Sequence, residues 1–167
     1  MAKSMLVVYY SWTNGNTETI AERLADACGA DLARIETVEP YPEDYDETVQ
    51  QGKDEVETGF KPQIEPLEFN PAAYDVIAVG TPTWWYTMAP AVATFIGEQD
   101  WAGKAIVPFM TNAGWPGAVI DDMEDSAMGA ACGPELEVKF DSNGGDTLET
   151  PQEAIDAWIG SVKALLA

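Results

Sequence analysis

The feature that most constrains the fold is a regular alternation of short apolar runs with helical stripes. The first run, MLVVYY (Met5–Tyr10), is almost entirely apolar. Such a strand is typical of a parallel sheet that helices cover on both faces. Four more strands are predicted along the chain, at 31–36, 74–80, 104–110 and 136–140. Pro108 interrupts the fourth run and is unusual for a central strand.

Helical periodicity separates these runs. Ile20, Leu24 and Cys28 recur at helical spacing ahead of Gly29, and a longer stripe runs from Ile155 to Leu166. Further helices are predicted at 44–58, from Pro90 to Ile96 and around 119–123. The pattern predicts an α/β fold with a doubly wound, five-stranded parallel sheet of order 2-1-3-4-5, in a single domain spanning residues 1–167.

Composition excludes several function classes. The 29 acidic residues outnumber 8 basic ones, and a net charge of −21 disfavours nucleic acid and anionic membranes while favouring a basic protein partner, unless it serves only solubility. The absence of histidine removes imidazole metal ligands and the commonest general base, so no metal site and no catalytic residue are predicted. Cys28 and Cys132 are expected to be buried free thiols. The N-terminal segment lacks signal-peptide features, which predicts a cytoplasmic protein without membrane insertion.

Three loops are expected at one edge of the sheet, because right-handed crossovers bring the ends of parallel strands together. The first, YSWTNGNTET (10–19), leads from a strand into a helix, whose unpaired N–H groups and dipole attract anions. Gly15 allows a close backbone approach. Hydroxyl and amide side chains suited to a phosphate are Ser11, Thr13, Asn14, Asn16 and Thr17. A simple N-cap turn would look similar.

The second and third loops suit a flat ring. TPTWWYTMAP (81–90) places three aromatic residues in succession after the third strand, where their exposure is costly unless a ligand, a neighbouring loop or a protein covers them. TNAGWPG (111–117) adds polar groups and a further indole. A phosphate site beside a site for a planar heterocycle indicates a mononucleotide-like cofactor.

The segments that carry these loops resemble the flavodoxin-like family, and are most similar to short bacterial members with a Trp-Trp pair after strand three. The matching pieces are VVYYSWTNGNTETIAERLA, YPEDYDE, YDVIAVGTPTWWYTMAP and FMTNAGWPG. The resemblance implies bound FMN. The implied cofactor site is Ser11, Trp12, Thr13, Asn14, Gly15, Asn16, Thr17, Pro82, Thr83, Trp84, Trp85, Tyr86, Thr111, Asn112, Ala113, Gly114 and Trp115. Asn14 is an insertion in the family's phosphate pattern, and Tyr86 replaces a common glycine.

Three functions are compatible with this interpretation. The first is an electron carrier that shuttles electrons between a reductase and an acceptor protein, with basic redox proteins as partners. The second is an FMN-dependent NAD(P)H:quinone oxidoreductase, or one acting on another small acceptor. The third is a flavin-free interaction module on the same fold. The acidic segment 36–68, with 11 acids, is either a solvated cover of the sheet edge or a partner-docking surface.

Overall fold

The sheet and its helices follow the predicted alternation. The computed structural model describes residues 2–12, 15–141 and 145–167. The strands are β1 (Met5–Tyr9), β2 (Asp31–Arg34), β3 (Val76–Trp84), β4 (Thr87–Met88), β5 (Ala105–Asn112), β6 (Ala131–Cys132) and β7 (Leu136–Lys139). The helices are α1 (Asn16–Cys28), α2 (Tyr45–Thr58), α3 (Pro90–Glu98), α4 (Val119–Ser126) and α5 (Gln152–Leu166), with a short 3-10 helix at Pro71–Ala73.

The strand order confirms the predicted doubly wound topology. It runs β2-β1-β3-β5-β6, with β7 also paired to β5, and these pairs are parallel. The short β4 instead pairs antiparallel with the end of β3. The switch point therefore lies between β1 and β3, where the crossovers diverge and such sheets bind ligands.

The predicted fifth strand is split in two, which the sequence pattern did not indicate. β6 pairs with the start of β5 at Ala105 and Ile106, whereas β7 pairs with it from Phe109 onward. Pro108 falls in the interval between these two pairings, although β3 continues beside it. A proline is tolerated at such an interruption because its missing N–H coincides with a break in the outer ladder.

Two apolar layers enclose the sheet. On one face α1 and α5 pack through residues such as Ile20, Leu24, Ile155 and Trp158. On the other face α3 and α4 pack through residues such as Phe95 and Met123. Each fully buried large apolar side chain contributes about 1.5–3 kcal/mol relative to exposure, so both layers stabilise the sheet.

The two cysteines are free, but the expectation that both are buried is wrong. Cys28 is half-buried and Cys132 is exposed. Cys28, the last residue of α1, only borders the apolar layer of α1 and α5, and Cys132 belongs to the two-residue edge strand β6. Among the described residues, no helix is long and apolar enough to cross a membrane.

Candidate functional site

A cavity of about 280 Å³ lies at the carboxyl edge of the sheet, beside the switch point. All three predicted loops contribute to its wall. The predicted residues that line it are Trp12, Asn16, Thr17, Pro82, Thr83, Trp84, Trp85, Thr111, Asn112 and Ala113. Thr13 and Asn14 lie outside the described residues. The other predicted residues, discussed below, lie near the cavity without lining it.

The first loop carries the buried hydroxyl of Ser11. Ser11 is 4% exposed, and its Oγ has no hydrogen-bond partner among the described residues. Burying an unpaired hydroxyl costs about 1–3 kcal/mol, so this atom is an unmet donor next to the cavity. Gly15, with φ +67°, makes the left-handed turn into α1, and the N terminus of that helix adds backbone donors.

The start of α1 is tied to two other loops. Thr17 and Thr111 are joined by a buried hydrogen bond of 2.8 Å between their hydroxyl oxygens. Asn16 donates through Nδ2 to the carbonyl of Gly145 at 3.1 Å. These contacts couple the ends of β1, β5 and β7, and they place the loop after β7 in the cavity wall. Sequence analysis missed that loop, whose lining residues are Phe140, Asp141 and Gly145.

A basic residue that sequence analysis also missed supports the first loop. Arg34 donates to the Ser11 carbonyl at 2.8 Å and pairs with Glu18 at 2.8 Å. The parallel register explains this position, because Arg34 lies beside Tyr9 on the neighbouring strand. The hydroxyl of Tyr9 donates to Glu18, and burial together with that carboxylate raises the pKa of Tyr9 to about 12. The first loop is therefore held by the guanidinium of Arg34, which lies outside the loop sequence.

The second loop is a tight hairpin, not the open loop expected from its sequence. Trp84 pairs with Thr87, so Trp85 and Tyr86 form a two-residue turn with φ of 51° and 67°. Such a turn normally carries Asn-Gly or Gly-Gly, because both central residues are left-handed. Each non-glycine residue in this conformation costs roughly 1–2 kcal/mol. Because both residues are bulky aromatics, the sequence did not indicate a turn here.

The third loop holds that strained turn from outside. The carbonyl of Tyr86 accepts the N–H of Ala118 at 2.9 Å. A Cβ on Gly117 would lie 2.3 Å from the same carbonyl oxygen, so only glycine permits this approach. Tyr86 does not line the cavity and its side chain is 59% exposed. Tyr86 therefore contributes to the site through its backbone, which anchors the hairpin.

Asn112 organises the start of the third loop through both ends of its amide. Its Nδ2 donates to the Val138 carbonyl at 3.0 Å, and its Oδ1 accepts the N–H of Gly114 at 2.7 Å. Thr83 donates to the Thr111 carbonyl at 3.2 Å, which joins this loop to the second. Trp115 is 56% exposed, and neither it nor Gly114 lines the cavity. Both follow the lining residue Ala113 in the chain.

Helix α2 forms a wall of the cavity, which sequence analysis did not anticipate. Its lining residues are Tyr45, Thr48, Val49 and Gly52. The indole N–H of Trp85 donates to the Val49 carbonyl at 2.9 Å, and the Lys53 ammonium lies 5.5 Å from the centre of the Trp85 ring. The sequence signal of this segment is its acidity, which describes the outer face of the helix and says nothing about the inner one.

Trp84 lies at the centre of an aromatic cluster behind this wall. Its ring meets those of Tyr10, Trp12 and Tyr41 edge-on, with centroids 5.8, 5.8 and 5.0 Å away. Trp12 in turn stacks on Tyr45 of α2 at 5.4 Å. Edge-on pairs of this kind add about 0.5–1.5 kcal/mol beyond burial. The neighbouring rings therefore hold the indole of Trp84 in one orientation at the cavity.

A buried carboxylate from α2 supports the same cluster. Tyr41 donates its hydroxyl proton to a hydrogen bond with Glu55 at 2.6 Å, and Gln51 donates to the other oxygen at 3.0 Å. Burial and this carboxylate raise the pKa of Tyr41 well above its ordinary value. Tyr41 thus remains a neutral donor that ties the segment before α2 to the helix itself.

The two ends of the cavity differ in the chemistry they offer. One end has Thr17 and the N terminus of α1, and the adjoining Ser11 hydroxyl is unpaired among the described residues; these groups suit a phosphate without any basic side chain in the loop. The other end has Trp84 and Trp85, which suit a planar ring. The site geometry fits a phosphate-bearing heterocycle.

The family follows from comparison with known sequences. The sequence model described as Flavodoxin matches residues 4–149. The chain belongs to the flavodoxin family. This agrees with the resemblance seen in the loop sequences and with the observed strand order.

Similar proteins of known structure share the fold over most of their length. A flavoprotein from Lactobacillus acidophilus NCFM, solved in complex with FMN, is 25% identical with a TM-score of 0.70, covering 81% of this chain and 93% of that one. A protein from Bacteroides eggerthii, assigned as a flavoprotein, is 28% identical with a TM-score of 0.76, covering 97% of this chain and 98% of that one.

A curated relative has an enzymatic name. The NAD(P)H dehydrogenase (quinone) of Gluconacetobacter diazotrophicus is 38% identical over 108 residues, which cover 62% of this chain. The match spans about half, 51%, of the length of that relative. The other half of that enzyme lies outside the match.

Proposed function

We propose that this chain is an FMN-binding flavodoxin-like electron-transfer protein, which passes electrons between a reductase and an acceptor protein. The observation that carries the proposal is a cavity with an aromatic wall at the sheet edge where the loop after β1 also holds the buried Ser11 hydroxyl, which has no hydrogen-bond partner among the described residues. The family and the FMN complex of the Lactobacillus flavoprotein bear out FMN as the cofactor.

The residues around the cavity divide the binding of FMN between them. Ser11, Thr17 and the first N–H groups of α1 would bind the phosphate, in a loop that Arg34 holds from behind. Trp84 and Trp85 would contact the isoalloxazine ring and exclude water from it. When bound, FMN supplies the one-electron and two-electron chemistry; the chain supplies position and an acidic environment.

The proposed protein partners are basic. Helix α2 borders the cavity and presents exposed acids on its outer face, including Asp46, Asp54 and Glu57. Complementary charge accelerates association and orients the partner. Because α2 itself forms a wall of the cavity, a partner docked on its outer face would lie one helix diameter, roughly 10 Å, from the ring site.

A second candidate, an FMN-dependent NAD(P)H:quinone oxidoreductase, is favoured by the similarity to the Gluconacetobacter enzyme. The two functions separate in a steady-state assay with NADPH and a quinone in the absence of any reductase. The carrier proposal predicts negligible turnover until a flavodoxin reductase is added. Robust turnover by the purified protein alone would favour the enzyme.

The first experiment is a titration of the purified protein with FMN, followed by the visible spectrum. We expect stoichiometric binding and, in a redox titration, a potential for the last electron below that of free FMN. The net charge of −21 disfavours further negative charge at the site. A protein that neither carries nor binds FMN would favour the third candidate, a flavin-free interaction module.

A further inference from the structure

Helix α2 packs against the rest of the molecule through an unusual inner face. Its buried residues are Thr48, Gly52 and Glu55, two polar side chains and a glycine. In this contact the apolar surface comes from the opposite side, from the aromatic cluster around Trp84. The distance of α2 from the sheet edge therefore depends on how closely these rings approach the helix backbone.

The closest such approach is at Gly52. A Cβ at this position would lie 3.0 Å from Cε3 and 3.3 Å from Cζ3 of Trp84, closer than side chains normally pack. The indole cannot easily turn away, because Tyr10, Trp12 and Tyr41 contact it edge-on. An added methyl group would force either the ring into the cavity or the helix away from it.

We propose that Gly52 is a positioning residue of the cofactor site: by leaving room for the Trp84 ring, it sets the separation between α2 and the sheet edge and hence the width of the cavity. The inference rests on the proposed function for its consequence, flavin binding, but not for its structural part. Gly52 itself lines the cavity, as does Val49 one turn earlier. The Trp85–Val49 hydrogen bond closes the same wall from its outer side.

The chain offers a matched control in Gly160, which lies inside helix α5. A Cβ there would meet no atom within 4 Å among the described residues. Replacing glycine by alanine inside a helix raises stability when there is space for the methyl group. Gly160→Ala should therefore raise the melting temperature, and Gly52→Ala should lower it although its gain in helix propensity is the same.

The experiment compares wild type, Gly52→Ala, Gly160→Ala, Trp84→Phe and the Gly52→Ala/Trp84→Phe double variant. It measures thermal unfolding and near-ultraviolet circular dichroism without cofactor, then the dissociation constants of FMN and riboflavin. We expect Gly52→Ala to raise the dissociation constants of both flavins by the same factor, about tenfold, and to change the near-ultraviolet signal of the tryptophans. Gly160→Ala should change neither dissociation constant by more than about twofold. The smaller ring of Trp84→Phe should make the Gly52→Ala change harmless to stability.

Each outcome decides the inference. It is overturned if Gly52→Ala stabilises the protein as Gly160→Ala does and leaves flavin affinity unchanged, or if it destabilises equally in the Trp84→Phe background. Should Gly52→Ala alone fail to fold, a folded double variant supports the inference and an unfolded one contradicts it. If wild type binds neither flavin, the proposed function fails, while the melting temperatures and dichroism still decide whether Gly52 positions Trp84.

Discussion

Helices α1 and α2 both border the cavity, yet they are held in place by different means. α1 buries Ile20, Ala21 and Leu24 in a continuous apolar layer. α2 buries Thr48, Gly52 and Glu55 and is held by aromatic rings and hydrogen bonds in and behind the cavity wall. The phosphate end of the site is therefore positioned by a helix that is packed into the core. The position of the ring end depends on the local contacts of α2.

This difference predicts that global stability and flavin affinity can be changed separately. Substitutions under α1 should act mainly on the free energy of unfolding. Substitutions at the contacts of α2 should act mainly on flavin binding and on local opening of that helix, because local opening exposes less surface than global unfolding.

The largest effect on stability is expected from Leu24→Ala. Leu24 is fully buried in α1, and truncating such a leucine costs about 2–5 kcal/mol. Val56→Ala, at a half-buried position of α2, should cost well under half of that. Urea unfolding of the two variants measures both values. Equal losses would show that α2 is as deeply integrated in the core as α1.

Ser11→Ala should be next in size, and should act on affinity alone. Hydrogen bonds to charged groups contribute about 1.5–3 kcal/mol, so FMN should bind roughly tenfold to 100-fold more weakly. Riboflavin, which lacks the phosphate, should bind as before. Stability should not fall, because the Ser11 hydroxyl is unpaired among the described residues. Ser161→Ala on α5 is the control, and an equal loss for riboflavin would contradict a phosphate role for Ser11.

In the protein without cofactor, Trp85→Phe should have a smaller effect, limited to local opening of α2. The variant keeps a ring but loses the donor to the Val49 carbonyl, a contact of about 1 kcal/mol. Amide hydrogen exchange should become about fivefold faster in α2 and stay unchanged in α1. Trp115→Phe, at an exposed indole that does not line the cavity, is the matched control. Unchanged exchange in α2 would mean that this hydrogen bond does not hold the wall.

The smallest change in pH dependence is expected from Tyr41→Phe and appears only in alkali, whereas the lost hydrogen bond to Glu55 lowers stability at neutral pH as well. Burial and Glu55 raise the pKa of Tyr41 above its ordinary value of 10.0, so the folded state keeps a proton that the unfolded state releases. This contribution to stability is complete below pH 10 and declines as the pH rises further. Tyr41→Phe should flatten that decline in pH-dependent unfolding, and Tyr86→Phe should not. An unchanged slope would contradict the raised pKa.

The same contrast explains which parts of the molecule were predictable from the sequence. Apolar runs and the Ile20–Leu24 spacing predicted the strands and α1, because core burial imposes periodicity, and the alternation of strand and helix then predicted a doubly wound order. The β3–β4 hairpin was missed because Trp85 and Tyr86 replace the residues that usually mark such a turn. The role of α2 was missed because its inner face is small and polar, so its partners become visible only once the chain is folded.

The two thiols lie far from the cavity, at the opposite edge of the sheet. Within the sheet, Cys132 of β6 pairs with Ile106 near the start of β5, whereas the cavity lies at the other end of that strand. On a gold electrode or a maleimide surface that binds the exposed Cys132, the cavity and its aromatic wall would therefore face away from the support. With Cys28 replaced, one attachment point would orient every molecule alike, which makes this chain suited to voltammetry on a surface without added cysteines.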